Sequence, residues 1–257
     1  MPRLDLTPPV AGMDLTIAPD DGMVLRDHPP DHALGHYLES GRTALRCVRA
    51  ALAAAGTADV RRILDLPCGH GRVLRVLKAA FPDAALTACD IDRAGVDFCA
   101  RQFGAEPVYS VEDPGKIPVR GPFDLIWCGS LLTHLDAPLW PGFLSLYRSL
   151  LSPDGVCVFT CHGVGAVEYV RSGMSTYGLA DPRKLLQWYE RYGFGFLPYR
   201  PGGRYGVSMS SASWVLAQLR KLPDTRLVLF TEKGWHNHQD AVAFGPVPPP
   251  EWERLPN

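Results

Sequence analysis

The chain has 257 residues, 46% of them apolar and 21% charged, with 26 Lys and Arg against 27 Asp and Glu. This is the composition of an ordinary globular protein: it excludes disorder as a whole and allows one large or two small domains. A formal net charge of -1 gives no large positive field for nonspecific phosphate contacts, so nucleic acid is not an expected partner.

The first residues, Met1-Pro-Arg-Leu-Asp-Leu-Thr-Pro-Pro, hold no basic segment followed by an apolar run. No stretch approaches the roughly 18 apolar residues of a membrane span, so a cytoplasmic protein with no membrane partner is expected. Seven cysteines (Cys47, Cys68, Cys89, Cys99, Cys128, Cys157, Cys161) are scattered without a CxxC pair. Several lie in apolar runs, where a free thiol acts as a small hydrophobe; neither disulfides nor a metal is expected.

Residues 1 to 31 carry six prolines and no sustained apolar period, which predicts an extended N-terminal arm. The main domain is expected over 32 to 246. From 36 to 55, Tyr37, Leu38, Thr43, Leu45, Val48 and Leu52 give a helical spacing that stops before Gly56.

Five short apolar runs follow: Arg62-Ile-Leu-Asp-Leu, Ala85-Leu-Thr-Ala-Cys-Asp, Pro107-Val-Tyr-Ser-Val, Phe123-Asp-Leu-Ile-Trp-Cys and Gly155-Val-Cys-Val-Phe-Thr-Cys. Amphipathic segments near 71 to 80, 93 to 103 and 139 to 151 separate most of them. Near-continuous apolar strands alternating with helices predict a doubly wound α/β domain whose parallel sheet is covered on both faces.

Residues 163 to 205 break the rhythm and are crowded with aromatic side chains, which predicts an insertion or lid after the fifth strand. A helix is expected over 211 to 222, with Ser211 or Ser213 near its start. Arg226-Leu-Val-Leu-Phe-Thr and Asp240-Ala-Val-Ala-Phe then read as an antiparallel pair, completing a seven-stranded, mostly parallel sheet. Residues 247 to 257 hold four prolines and read as a Pro-rich tail.

The strongest signal is Asp65-Leu-Pro-Cys-Gly-His-Gly-Arg between the first strand and its helix. Glycines there let backbone approach a ligand, and the helix start offers N–H groups to an anion. About 20 residues on, the second strand ends in Asp90, where a carboxylate can accept from ribose hydroxyls, so a nucleoside-containing cofactor is implied. The dinucleotide register fails: in G-x-G-x-x-G the positions are Pro67, Gly69 and Arg72, or Gly69, Gly71 and Leu74.

The segment instead resembles the first motif of class I S-adenosylmethionine-dependent methyltransferases, matching at Asp65, Gly69 and Gly71, with Pro67 departing from the first glycine. The resemblance runs over about 37 to 162 through Cys89-Asp-Ile-Asp, Phe123-Asp-Leu-Ile-Trp-Cys-Gly-Ser and Leu151-Ser-Pro-Asp-Gly-Val-Cys-Val-Phe. Thr133-His134-Leu135 and His238-Gln239-Asp240 look like motifs of bacterial small-molecule or glycan-associated members.

The resemblance implies a Rossmann-like fold, S-adenosylmethionine as cofactor, S-adenosylhomocysteine as product, and a small-molecule or glycan acceptor. It places Asp65, Pro67, Cys68, Gly69 and Gly71 around the methionine part, Asp90 on the ribose and Ile91 against the adenine. Glu112 or Asp113 would meet the adenine amino group, and Cys128 and Gly129 would offer backbone near the methionine amine. Tyr37 and Gly41 would close over the site, or Tyr37 simply packs its helix.

Methyl transfer needs mainly orientation and exclusion of water, and a hydroxyl acceptor also needs a base. His134, past the fourth strand beside the strand-order reversal, is the candidate catalytic residue, with Asp136 either orienting its ring or capping a helix. His134, His162, Tyr177, Tyr205 and His238 are the candidate acceptor contacts, and the arginines among the aromatics suggest an aromatic or anionic acceptor. The alternative for the aromatics is a small satellite core.

The remaining histidines are expected to matter less: His28, His32 and His36 solvated, and His70 acting through its backbone. His236 and His238 make an H-x-H near Asp240 that, without a second ligand cluster, reads as structural or substrate-facing. Rival readings are a cofactor-binding protein or ligand-binding module without chemistry, and a nicotinamide oxidoreductase, which the glycine register disfavours. A DNA methyltransferase would want Asn-Pro-Pro or Asp-Pro-Pro where Gly129-Ser-Leu-Leu stands. Oligomeric state is not readable.

Overall fold

A computed structural model describes residues 10–24 and 29–248. Residues 1–9 and 25–28 of the expected arm, with His28, and residues 249–257 of the tail lie outside the described residues.

In chain order the core elements are α1 (Pro30–Ala55), β1 (Arg62–Asp65), α2 (Leu74–Ala80), β2 (Ala85–Asp90), α3 (Arg93–Phe103), β3 (Glu106–Tyr109), β4 (Phe123–Cys128), α4 (Trp140–Leu150) and β5 (Leu151–Cys161). The insertion follows as α5 (Val164–Arg171), α6 (Arg183–Tyr192), β6 (Phe194–Pro198) and β7 (Gly206–Ser210). The chain then returns through α7 (Ala212–Leu219), β8 (Thr225–Trp235) and β9 (Gln239–Pro246).

Seven strands form one sheet in the order β3-β2-β1-β4-β5-β9-β8. All pairs are parallel except those made by β9, which runs antiparallel to β5 and β8. Alternation along each strand sorts the core into two layers. From β1 and β4, Ile63, Leu125 and Trp127 face α1, α2 and α3, whereas Leu64, Ile126 and Cys128 face α4 and α7. The order reverses between β1 and β4, and the carboxyl ends there are where such sheets bind ligands.

Two expectations change. First, α1 begins at Pro30, because proline suits the first helical turn and Asp31 favours it. Second, residues 10–24 are packed rather than free: Met13 joins Leu38, Leu45 and Val76 in a small cluster. Buried Asp21 accepts from the Tyr37 hydroxyl at 2.7 Å. Arg75 fastens this segment, donating to the carbonyls of Asp14 at 3.2 Å and Thr16 at 2.9 Å, to Tyr37 Oη at 3.2 Å and, through Nε, to Gly71 O at 3.1 Å.

The insertion runs on to Ser210, past the expected 205, because β6 and β7 pair as a separate antiparallel sheet. Gly195 and Pro198 disguise β6 as a turn, and serines interrupt the apolar pattern of β7. Ser211 caps α7, accepting from Trp214 N at 3.3 Å.

Candidate active site

β1 delivers Asp65 to the carboxyl edge, and the chain turns through 66–73 before α2 begins at Leu74. Gly69 and Gly71 have φ of +48° and +75°, the left-handed region that favours glycine. They do different work. A Cβ at Gly71 would meet Phe103 at 2.4 Å, so Gly71 lets the turn lie against α3; a Cβ at Gly69 would meet nothing within 4 Å.

The N–H groups of the two glycines themselves are used internally. Gly69 N donates to Asp90 Oδ2 at 2.7 Å and Gly71 N to Cys68 O at 2.9 Å. Asp90 Oδ1 also accepts from Asp92 N at 2.9 Å, so two backbone bonds fix this carboxylate at the lip of the turn.

Behind it, Asp65 is 1% exposed and neither of its oxygens has a hydrogen-bond partner among the described residues. Burial, reinforced by the charge of Asp90, raises its carboxyl well above the usual carboxylate range. A buried carboxylate without a partner is costly, and a cation seated against it removes that cost. An open glycine, a fixed lip carboxylate and an unmatched buried acid fit the ribose and the methionyl ammonium of S-adenosylmethionine.

The other expected cofactor residues divide. Ile91 stands 61% exposed beside Asp90, a free apolar face. Cys68 is buried in the turn and Pro67 is half-buried. Cys128 is buried with its thiol accepting from Tyr147 Oη at 3.1 Å, and a Cβ at Gly129 would meet the Trp127 indole at 2.8 Å. Glu112 is exposed after β3, and Asp113 caps the next turn by accepting from Gly115 N at 3.0 Å. Tyr37 is fully buried and Gly41 admits Val76 and the Arg72 carbonyl close to α1, so their visible work is packing.

Three residues from three strand ends close a ring that the sequence reading missed. Thr160 Oγ1 accepts from Ser130 N at 2.8 Å and donates to Gln239 Oε1 at 2.6 Å, and Gln239 Nε2 donates to Ser130 Oγ at 2.6 Å. Ser130 has φ +59°, so the chain leaves β4 bent toward the residues that follow.

Those residues carry His134 in a short 3-10 turn, Leu132–His134. Its Nδ1 lies 2.7 Å from the Gly206 carbonyl. A carbonyl only accepts, so Nδ1 carries the proton and Nε2 keeps its lone pair. Tyr205 stacks on the ring at 5.0 Å and Tyr199 lies 6.0 Å away. Burial holds this imidazole below its ordinary pKa. Asp136 does not orient it: that carboxylate accepts from Ala137 N at 2.7 Å and caps the next turn.

Behind His134 lie His162, Tyr177 and His238. Ring centroids are 6.3 Å apart for His134 and His162, 4.9 Å for His162 and Tyr177, and 5.4 Å for His162 and His238. His162 is buried, points Nδ1 at Ser208 O at 3.1 Å, and is pulled down to about 3, first by burial and then by the neighbouring imidazoles. Tyr177 Oη and His238 Nε2 are 2.9 Å apart, and Tyr169 stacks on His238 at 4.7 Å. Burial first, and then the charge of Asp90, raise the Tyr205 hydroxyl above its ordinary pKa.

Other expectations near the chamber are corrected. Arg171, Arg183, Lys184, Arg191, Arg200 and Arg204 are all exposed. A satellite core exists as well, with Tyr177 and Tyr189 packed on Val167, Leu185 and Met209. His36 is not simply solvated but lies 4.6 Å from the His236 ring. His236 and His238 turn to different neighbours, and Asp240 accepts from Lys233 N at 2.9 Å. Among the described residues no group of three His, Cys, Asp or Glu is placed to hold a metal. His70 is buried between Asp20 and Asp92, at 3.5 and 3.7 Å, so its side chain is engaged as well as its backbone.

The family model described as a methyltransferase domain matches residues 63–155, the segment from β1 through the glycine turn to β5. Over that segment the chain carries a methyltransferase domain, set on a seven-stranded sheet of Rossmann-like order. No curated protein matches the chain.

Among solved structures, the methyltransferase domain is similar to an S-adenosylmethionine-dependent methyltransferase from Clostridium acetobutylicum. The match has 13% identity and a TM-score of 0.55, covering 81% of this chain and 92% of that one. A 1,6-didemethyltoxoflavin-N1-methyltransferase from Burkholderia thailandensis, bound to 1,6-didemethyltoxoflavin and S-adenosylhomocysteine, matches at 13% identity and TM-score 0.53, covering 79% and 78%. An O-methyltransferase from neocarzinostatin biosynthesis, in complex with S-adenosylmethionine and 2-hydroxy-5-methyl naphthoic acid, matches at 14% identity and TM-score 0.51, covering 82% and 58%. At these identities the likeness is one of fold. No helix of the described residues is long and apolar enough to cross a membrane.

Proposed function

We propose that the protein transfers the methyl group of S-adenosylmethionine to a hydroxyl oxygen of a small-molecule or glycan acceptor in the cytoplasm. The observation that carries this reading is His134: a half-buried imidazole just past the carboxyl end of β4, with Nδ1–H committed to the Gly206 carbonyl and its pKa held below the ordinary value by burial. Such a ring is a base in waiting, because the free lone pair sits on Nε2 and ionisation is already disfavoured.

When bound, S-adenosylmethionine supplies a methyl group activated by its sulfonium. Asp65, Gly69, Gly71 and Asp90 hold and orient it, with Ile91 against the adenine. His134 Nε2 would take the acceptor proton, and the product of the cofactor would be S-adenosylhomocysteine. Tyr205, Tyr177, His162 and His238 offer ring faces and hydroxyls without net charge, which suits a flat or sugar-like neutral acceptor. The two ligand-bound neighbours above carry ring-containing small molecules, a further support.

The test is titration calorimetry with S-adenosylmethionine followed by a screen of hydroxylated acceptors for S-adenosylhomocysteine release. Binding and release with at least one hydroxyl acceptor are expected. Binding without release on any acceptor would favour a cofactor-binding module, and absence of binding would overturn the reading altogether.

A further inference from the structure

His134 and His162 reach the chamber from different elements, yet one strand edge holds both. Nδ1 of His134 donates to Gly206 O at 2.7 Å, and Nδ1 of His162 to Ser208 O at 3.1 Å. Backbone fastens that edge of β7 beside them: Ser208 Oγ donates to Leu132 O and Ser210 N to His162 O, both at 2.8 Å. The two imidazoles are thereby held at a fixed spacing, 6.3 Å between ring centroids.

With Nδ1 turned to the strand, each ring presents Nε2 on its other side. Carbonyls only accept, so both Nδ1 atoms carry protons and both Nε2 atoms are bare acceptors. No described residue donates to either Nε2. His162 is only 4% exposed, and an acceptor left unmet at that depth is unfavourable. The neighbouring hydroxyl of Tyr177 is already engaged, with its Oη 2.9 Å from His238 Nε2. Burial and the surrounding imidazoles keep His162 unprotonated, so it stays an acceptor.

Two bare acceptors side by side call for two donors on one ligand. A carboxylate or phosphate would set its own lone pairs against them, whereas neutral hydroxyls donate. Centroids 6.3 Å apart leave room for two oxygens on adjacent carbons, each at a hydrogen bond of about 2.8 Å. Tyr205 against His134 and Tyr177 against His162, at 5.0 and 4.9 Å, offer ring faces to the carbon skeleton between those oxygens.

We propose that the acceptor is a vicinal diol, aromatic as in a catechol or saturated as in a sugar, with one hydroxyl donating to His134 Nε2 and its neighbour to His162 Nε2. This assignment rests on the reading of His134 given above and adds His162 as the residue that selects the diol and fixes which oxygen meets His134.

The test uses the full chain loaded with S-adenosylhomocysteine and ligand-observed NMR titrations of paired probes. Catechol is compared with phenol, and methyl mannoside with the deoxy sugar lacking one hydroxyl of its cis pair. At least one diol should bind about fivefold or more tightly than its partner, the effect of one added hydrogen bond. A preference confined to catechol assigns an aromatic source, and one confined to the mannoside a sugar. In His162→Asn, whose amide still donates to the Ser208 carbonyl but has no atom at the Nε2 position, the preference should fall to near one.

Equal binding within both pairs by the unaltered protein overturns the proposal, as does full retention of the preference in His162→Asn. Loss of diol and partner affinity alike in a folded variant also overturns it, because a purely structural role moves both. Should His162→Asn not fold, the monomethyl ether of the preferred diol decides on the unaltered protein: an ether oxygen cannot donate, so it should bind no more tightly than the single hydroxyl, and binding equal to the diol overturns the assignment. Release of S-adenosylhomocysteine from S-adenosylmethionine with phenol and catechol alike, at equal affinity, keeps the hydroxyl reading and removes only the diol. Preferential diol binding with no release on any probe instead sinks the methyl-transfer reading and leaves the diol site standing.

Discussion

His134 and His162 each direct Nδ1 at a carbonyl of one strand, Gly206 and Ser208 of β7, at 2.7 and 3.1 Å. Carbonyls two residues apart on a strand point the same way, so the pair of imidazoles grips one edge of the insertion. The same bonds set both tautomers and leave both Nε2 atoms as lone-pair nitrogens. The two rings differ in access: His162 is buried, whereas His134 is half-buried under Tyr205.

His134→Gln should lower kcat by about 10² to 10⁴ while S-adenosylmethionine still binds. Because burial holds the His134 pKa below its ordinary value, the rate should stay level as pH falls through about 6.5 and decline only in more acid solution. Steady-state rates over a pH series check both; turnover within about twofold of the unaltered enzyme would remove His134 from the chemistry.

His162 makes a separate prediction about stability. Its pKa is about 3 in the folded state, against about 6.5 unfolded, so the unfolded chain binds the extra proton in between. Its stabilising contribution is full above the unfolded value and is lost as pH falls from there toward 3. Asp240, raised to about 6 by burial, works in the opposite sense below that pH. Subtracting the melting curves of His162→Gln from those of the unaltered chain isolates the histidine: the difference in Tm should shrink between pH 7 and pH 5. An unchanged difference would contradict the burial of this imidazole.

The two glycines of the turn should separate packing from cofactor binding. Gly71→Ala drives a methyl into Phe103 and should lower Tm by several degrees and weaken S-adenosylmethionine together. Gly69→Ala bears only the cost of its positive φ, about 1 to 2 kcal/mol, yet fills the open space and should weaken the cofactor far more than the fold. Melting curves and calorimetry on the same samples would show whether the two variants really diverge.

Asp90→Ala removes an acceptor expected on the ribose, at a cost of about 1.5 to 3 kcal/mol in cofactor affinity. It also frees Gly69 N–H and Asp92 N–H, so a modest loss of Tm should accompany it. Unchanged affinity in a folded variant would place the cofactor elsewhere.

Tyr177→Phe and Tyr205→Ala should raise the acceptor KM and leave the dissociation constant of S-adenosylmethionine alone. The reverse pattern would remove both rings from the acceptor site.

The sheet was legible because its central strands are near-continuous apolar runs, and the turn because Asp65, Gly69, Gly71 and Asp90 sit at fixed distances from strand ends. Neighbour-dependent features were not. Arg75 meets the carbonyls of Asp14 and Thr16 only because 10–24 folds back on α2, a contact that no periodicity announces. The Ser130, Thr160 and Gln239 ring joins residues up to 109 positions apart. Cation-bearing side chains in the insertion pointed to charge in the chamber, but sequence does not tell which side of a hairpin they occupy.

The β6 and β7 hairpin is a sheet of its own, and two strands alone are marginal in water. Its order comes from the satellite core that buries Val207 and Met209 together with the imidazoles that hold its edge. Backbone amides of β7 should therefore exchange with solvent by a partial opening well below the free energy that unfolds β1 and β4. Such an opening parts the acceptor rings while the glycine turn stays intact, giving a bulky acceptor a way in and a methylated product a way out past a cofactor that remains seated.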